Sequence, residues 1–353
     1  MKITSCEIFP VKLTLEKPFS IAYMTIDHTI NVFIRIHTDE GITGLGCGGH
    51  DQEVTGENGQ TIEKALRQTA EPLLIGEDPL ATAFLTQRIR EQMPSEPTAL
   101  SAVDMALADI AARKAGLPLY AFLGGKLRPV TTSITLGIQP LDETVSQALE
   151  YRKKGFRILK IKGGNDVDAD IEKIRKIHET VGTQMGLFFD ANQGYTIAEA
   201  KRCIQTLTRV GAFCIEQPCP SADLSQFSHL RNEACPVMAD ESVLGPEDAI
   251  NLIRAGGFQM VNIKLAKAGT IRRALAIDAI AGASGAPSMM GSMDESALST
   301  AAGLHTMLCA PNCSYADLDG ALEFIDDPAG DAVILKDGQL LVHDRPGLGF
   351  SLK

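Results

Sequence analysis

The chain has 353 residues, of which 44% are hydrophobic and 22% charged, and its net charge is −11. That balance belongs to a soluble globular protein long enough for one large barrel plus a smaller domain, and without a basic run it excludes a general nucleic-acid footprint. No stretch reaches the ~18 apolar residues of a membrane span, and Glu7, Lys12, Glu16 and Lys17 interrupt any leader-like apolar core, so a cytoplasmic protein with no membrane partner is expected.

The first segment opens with strand-like runs. Ile3–Leu13 alternates loosely; Thr29–Thr38 alternates well, turns at Asp39-Glu40-Gly41 and meets a second run at Ile42–Gly46, the signature of a β-hairpin. Helical patterns follow over Gly59–Leu74, Pro79–Met93 and Thr98–Ala115, the last with Val103, Leu107 and Ile110 on one face and Gly116 as its stop. Gly44-Leu45-Gly46-Cys47-Gly48-Gly49 matches a dinucleotide-binding G-x-G-x-x-G. It follows a hairpin strand and enters no helix, so nucleotide binding is not expected.

From about Val130 the rhythm changes to short β-branched runs alternating with amphipathic helices. The runs are Thr131–Gly137, Arg157–Lys162, Gly186–Asp190, Ala212–Glu216, Pro236–Asp240, Gln259–Lys264, Ala286–Gly291 and a weak one near Ser314–Asp317. This reads as an α/β protein, a parallel barrel behind an N-terminal α+β segment. The expected domains are 1–125, completed by a tail over 321–353 with strand signals, and a barrel over 126–320. The eight cysteines form no C-x-x-C pair and fall among apolar neighbours, so reduced thiols in or near the core are expected.

Polar and charged residues mark the C-terminal ends of these strands: Lys160 and Lys162, Asp190 and Asn192, Glu216, Asp240, and Lys264. In a barrel those ends converge on one mouth, where active sites lie. Asp190, Glu216 and Asp240 come from successive strands, and three hard oxygen ligands suit Mg²⁺. Taken singly, each acid is as consistent with a helix cap or a solvated loop. In ILKIK, Lys160 and Lys162 share a strand face with Ile158, which points them into the barrel. Lys264 lies four strands further round, across the mouth from Lys162. Neighbouring cations lower a lysine's pKa, so such a pair suits acid/base chemistry; structural salt bridges are the alternative. Lys267 reads as a loop charge. Asp317 and Asp319, at the end of the eighth strand, suit a substrate ammonium or simply a surface turn.

The combination Lys160-x-Lys162, Asp190-x-Asn192, Glu216-Gln217-Pro218, Asp240-Glu241-Ser242 and Lys264 resembles the muconate-lactonizing branch of the enolase superfamily. The resemblance implies a modified (β/α)₇β TIM barrel with an N-terminal α+β capping domain, one Mg²⁺ held by Asp190, Glu216 and Asp240, and a metal-stabilised enediolate formed by removing the proton α to a carboxylate. Lysine bases are the superfamily's general pattern. Asp317-x-Asp319 with Met290-Gly291-Ser292-Met293 resembles the dipeptide epimerases, including L-Ala-D/L-Glu epimerases. That implies two-base 1,1-proton transfer by Lys162 and Lys264, with Lys160 neutralising the substrate carboxylate, the two aspartates holding the α-ammonium, and Asn192 behind the metal ligands.

The sequence departs from that pattern at one loop. Members acting on Ala-Glu carry an Arg where Met24 stands in Pro18–Met24, which points to a hydrophobic C-terminal residue. Asp294, beside Ser292 and Met293, points to a polar or cationic group at the other end of the dipeptide. o-Succinylbenzoate synthase, N-acylamino acid racemase and muconate-type cycloisomerase chemistry remain alternatives on the same scaffold, as does a metal-binding barrel without catalysis. A homo-oligomer is expected from the resemblance.

Overall fold

The computed structural model describes residues 1–353 except Tyr23, Asp223, Asn232, Glu233, Ala234 and Lys353. Strands β1 (Ile3–Ser20), β2 (Thr25–Thr38) and β3 (Thr43–Gly49) form an antiparallel sheet in that order. Val32, Ile34 and Ile36, on one face of β2, pack on Ile62, Leu66, Leu85 and Ile89 of the helices that follow, giving the segment its own core. The helix Pro97–Ala115 is buried without a break from Thr98 to Ala112. Its Val103, Leu107 and Ile110 face that core, while Met105, Ala108 and Ala112 join the larger core around the barrel. A helix apolar on all sides is one buried on all sides.

The glycine-rich β3 is explained by this helix. A Cβ on Gly44 would stand 2.1 Å from the Ala106 carbonyl oxygen, one on Gly46 1.9 Å from that of Ala102, and one on Gly48 3.1 Å from Thr98. Every second residue of the strand meets every fourth residue of the helix, and only glycine admits the approach.

Val130–Thr131 (β4) begins the second segment, and eight parallel strands follow: β5 (Ile134–Leu136), β6 (Ile158–Lys162), β7 (Gly186–Asp190), β8 (Ile215–Glu216), β9 (Val237–Ala239), β10 (Met260–Ile263), β11 (Ser288–Gly291) and β12 (Cys313–Asp317). They pair in chain order, and Ser133 N–H donating to the Ala316 carbonyl at 3.0 Å joins the ends into a barrel. Leu159 and Ile161 pack outward into the core shared with the helices. Ile158 faces inward onto Phe188, Cys214, Met238, Met260 and Met289, an apolar plug that closes the barrel's interior. Two residues further along those strands the inward positions become Lys160, Asp190, Glu216, Asp240, Asn262 and Gly291. A strand's period of two thus stacks a charged layer directly on the plug.

The tail forms β13 (Val333–Lys336) and β14 (Gln339–Val342), a hairpin that pairs with β4 rather than with the N-terminal sheet. The tail meets the first segment at both ends: Phe324 bridges Leu15 of β1, with Glu16 N–H donating to the Glu323 carbonyl at 2.9 Å and Ile325 N–H to the Thr14 carbonyl at 3.1 Å, and further on Leu348 N–H donates to Asp109 at 2.7 Å and the Gly347 carbonyl accepts from Leu119 at 2.7 Å. Among the described residues all eight cysteines are free, six of them buried, as expected of reduced thiols. No helix among them is long and apolar enough to cross a membrane.

Gly46→Ala forces its methyl onto the Ala102 carbonyl and is expected to cost about 3 kcal/mol or more. Gly330→Ala meets nothing within 4 Å and is expected to stay within about 1 kcal/mol of wild type. Urea unfolding of both variants checks this; equal stability would show that strand and helix part easily.

Candidate active site

The charged layer is a lattice of buried ion pairs. Lys160, 3% exposed, lies over the Phe188 ring and reaches three carboxylates: Asp317 at 2.7 Å, Glu216 at 2.9 Å and Asp190 at 3.1 Å. Lys162 donates to Asp190 at 2.8 Å and to the Asn192 side-chain oxygen at 2.9 Å. Across the barrel Lys264 donates to Asp240 Oδ2 at 2.8 Å. β6 and β10 are separated by three strands on one side, so in an eight-stranded barrel Lys162 and Lys264 rise from opposite walls. Asn262 donates to Glu216 Oε1 at 2.6 Å, and the absence of a side chain at Gly291 leaves it room, since a Cβ there would lie 2.3 Å from the Asn262 oxygen.

Burial sets the electrostatics. It would raise every carboxyl pKa here, and counter-charges decide which stay ionised. Against burial, Lys162 and Lys160 hold Asp190 down to about 2, and Lys264 with Lys267 holds Asp240 well below the usual carboxylate range. Glu216 goes the other way: burial and then Asp190 push it up to about 8, despite Lys160. The sequence expectation that clustered cations lower the lysine pKa is corrected at Lys264. Burial and Lys160 do oppose its charge, but Asp240 and Glu216 outweigh them and hold it above the ordinary lysine value. Each lysine of this layer stands against at least one carboxylate, so the salt-bridge alternative describes the lysines as they stand.

Asp190, Glu216 and Asp240 sit at the ends of adjacent strands, with Asp190 and Glu216 in register. Among the described residues no three acidic, histidine or cysteine side chains gather tightly enough to hold a metal, because ammonium groups stand between them. The donors nevertheless fit a hard divalent cation. All three are carboxylates, and Glu216 Oε2, although 2.9 Å from Lys160, is buried without an aligned hydrogen bond.

The mouth encloses a cavity of about 70 Å³ bordered by Lys160, Lys162, Lys264, Asn192, Asp240, Asp317, Asp319, Ser292, Met293 and Asp294. Phe19, Ile21, Asp51 and Val54 of the N-terminal segment cover it. A second cavity of about 200 Å³ shares Phe19, Asp294 and Asp319 with the first and adds Glu143 and Glu323. Asp317 and Asp319 diverge: the first turns inward to Lys160 and Ser133, while the second accepts the Thr135 N–H at 2.7 Å and faces both cavities. Burial, and then Asp317, push Asp319 up to about 7. Met24 borders neither cavity and is 46% exposed; its neighbour Tyr23 lies outside the described residues.

Lys267 is a correction. It is no loop charge: buried on the short helix Leu265–Ala268, its Nζ donates to Asp240 Oδ1, to the Asp240 carbonyl at 2.7 Å and to the Asn262 carbonyl at 3.0 Å. The motifs named Gln217 and Glu241 but gave them no role: the Gln217 side-chain oxygen accepts from Asp240 N–H at 3.0 Å and Ser242 N–H at 3.2 Å, and Glu241 is buried beside Asn192. Their positions next to Glu216 and Asp240 were the available signal. Asn262 was readable as an inward residue of MVNIK, and Asp51 carried no signal at all.

Residues 3–124 match the family model of the mandelate racemase / muconate lactonizing enzyme N-terminal domain, and residues 143–353 match the enolase C-terminal domain-like model. The chain is 40% identical to an L-Lys-D/L-Arg epimerase of Desulforapulum autotrophicum, with 99% of each chain covered. It is 35% identical to a hydrophobic dipeptide epimerase of Enterococcus faecalis, over 99% of this chain and 100% of the relative. A dipeptide epimerase of Methylococcus capsulatus, solved with Mg and L-Arg-D-Lys, superposes with a TM-score of 0.94 at 36% identity, covering 99% of both chains. The chain belongs to the enolase superfamily, in the mandelate racemase / muconate lactonizing branch.

Glu216 gives a signed pH effect. Its folded pKa, about 8, lies above the ordinary 4.5, so between those values the folded chain keeps a proton that the unfolded chain releases. Its contribution to stability is therefore full below pH ~4.5 and lost as pH rises through about 8. With a chelator present, the melting temperature of wild type is expected to fall between pH 6 and 9, and to fall less in Glu216→Gln. Equal slopes would show that Glu216 is ionised throughout.

Proposed function

We propose that this member of the superfamily is a Mg²⁺-dependent dipeptide epimerase that inverts the α-carbon of the C-terminal residue by two-base 1,1-proton transfer. The observation that carries the reading is the pair of lysines, Lys162 and Lys264, rising from opposite walls onto one small cavity. A carbon held between two such amines can lose its proton to one and regain it from the other on the opposite face. The names of the relatives and of the superposed structure, all dipeptide epimerases, support the same reaction.

Asp190, Glu216 and Asp240 would hold the metal. Bound there, Mg²⁺ supplies the positive charge that stabilises negative charge developing on the substrate carboxylate. Lys160 adds a fixed cation at the same layer. Asn192 orients Lys162 through its side-chain oxygen. Asp319, with one oxygen tied to Thr135, faces the cavities where the dipeptide's ammonium would lie, and Asp317 supports it from behind by anchoring Lys160. Ser292, Met293 and Asp294 form one wall. Phe19, Ile21 and Val54 exclude water from above, which strengthens every charge interaction beneath them.

For the side chains, the walls favour cations. Asp294, Glu143 and Glu323 border the outer cavity against one cation, Lys17, and Asp51 borders the inner one, an acid excess that suits Lys or Arg in the dipeptide. A hydrophobic C-terminal residue is the second reading. Its original support, Met24, stands on the surface, but Phe19, Ile21 and Val54 keep it in play.

Steady-state epimerisation of L-Lys-L-Arg, L-Lys-L-Leu, L-Ala-L-Leu and L-Ala-L-Glu separates these. A cationic first residue is expected to raise kcat/KM at least tenfold over Ala, and Arg to exceed Leu at the second position. A Leu advantage there would establish the hydrophobic reading. Lys162→Ala and Lys264→Ala are each expected to lower kcat by about 10²–10⁴; a variant that keeps wild-type turnover would remove that lysine from the chemistry.

A further inference from the structure

Asp240 is gripped from two sides. Lys264 holds Oδ2 at 2.8 Å from within the barrel, and Lys267 holds Oδ1 from beneath. Lys267 also donates to the Asp240 carbonyl at 2.7 Å and to the Asn262 carbonyl at 3.0 Å. An ammonium has three donors, and here all three are spent on fixed acceptors. Two of those acceptors are the carbonyl and the carboxylate of one residue, which sets both the backbone and the side-chain torsion of Asp240. The third is the backbone of the residue that carries the Asn262 side chain to Glu216.

The chain locally serves this contact. β10 ends at Ile263, Lys264 caps the four-residue helix Leu265–Ala268, and the left-handed Gly269 stops it. That single turn brings Lys267 back under the end of β9 (Val237–Ala239), just before Asp240. Lys267 is 3% exposed. A buried ammonium this fully bonded is not a solvated charge.

We propose that Lys267 is a positioning residue for the metal site: by holding both the carbonyl and Oδ1 of Asp240 it fixes the direction in which that carboxylate meets a divalent cation. The inference rests on the reading of Asp240 as a metal ligand. Lys267 itself borders no substrate and carries no proton in the reaction. Its effect reaches the cation only through Asp240, as outer partners of metal ligands commonly do, at about 10–100-fold in affinity.

The test is Mn²⁺ binding, followed by electron paramagnetic resonance, to the full-length wild type and to Lys267→Met and Lys267→Gln, with thermal melts run in parallel. The Met variant removes every donor; the Gln variant keeps amide donors for the carbonyls and folds if Met does not. The expected result is a dissociation constant raised at least tenfold in the folded variants at temperatures well below their melts. A lowered melting temperature with an unchanged dissociation constant would make Lys267 a structural tether only and overturn the proposal, leaving Asp240 as a ligand. No saturable Mn²⁺ binding by wild type would overturn both this proposal and the metal site itself.

Discussion

One buried ammonium organises the centre of this protein. Lys160 stands on the apolar plug, over Phe188, and reaches Asp190, Glu216 and Asp317 on three other strands. A carboxylate left alone at that depth would cost several kcal/mol. With Lys160 in place, acids can be carried inward on strands β7, β8 and β12, and the remaining lysines can be arranged around them. Breaking one such contact leaves the others short of charge, so the layer behaves as a unit rather than as separate pairs.

The layer constrains the rest of the fold. Its residues must all lie two positions beyond the plug, so the strands of the barrel must hold one register. Gly291 gives up its side chain so that Asn262 can reach Glu216, and Gln217, at a φ of 31°, spends its amide on the start of the Asp240 loop. Above, the N-terminal segment closes the mouth with Phe19, Ile21, Asp51 and Val54. The position of these residues depends on the close seating of β3 against the helix Pro97–Ala115, and so on glycines far from any chemistry.

The parallel barrel and the separate antiparallel sheet were legible because both carry simple periodic signals. Strand ends at Lys162, Asp190 and Glu216 coincide with those inferred from the β-branched runs, and the inward face of ILKIK followed from its alternation alone. Less legible was anything set by a single turn. Lys267 looked like a loop charge because nothing in LAKAG states that four residues of helix will fold it back beneath Asp240. Met24 drew attention by its place in a motif, yet it lies on the surface. The acids that line the cavity from elsewhere, Asp51, Glu143 and Glu323, come from three distant segments, and no local pattern links them. The tail's hairpin was visible as strands, but its partner, Val130–Thr131, is only two residues long.

Under the proposed function, this charged layer moves a proton at the α-carbon next to a dipeptide's carboxylate. Hydrogen exchange in D₂O, read by mass spectrometry with Mg²⁺ and L-Lys-L-Arg, tests it most directly. One deuterium entering the C-terminal residue's α-position, with the L,D epimer accumulating, is the expected result. If L-Lys-L-Arg and the other dipeptides show no exchange while an N-acylated amino acid exchanges its α-proton, the lysine pair stands but the dipeptide, and the part given to Asp319, do not.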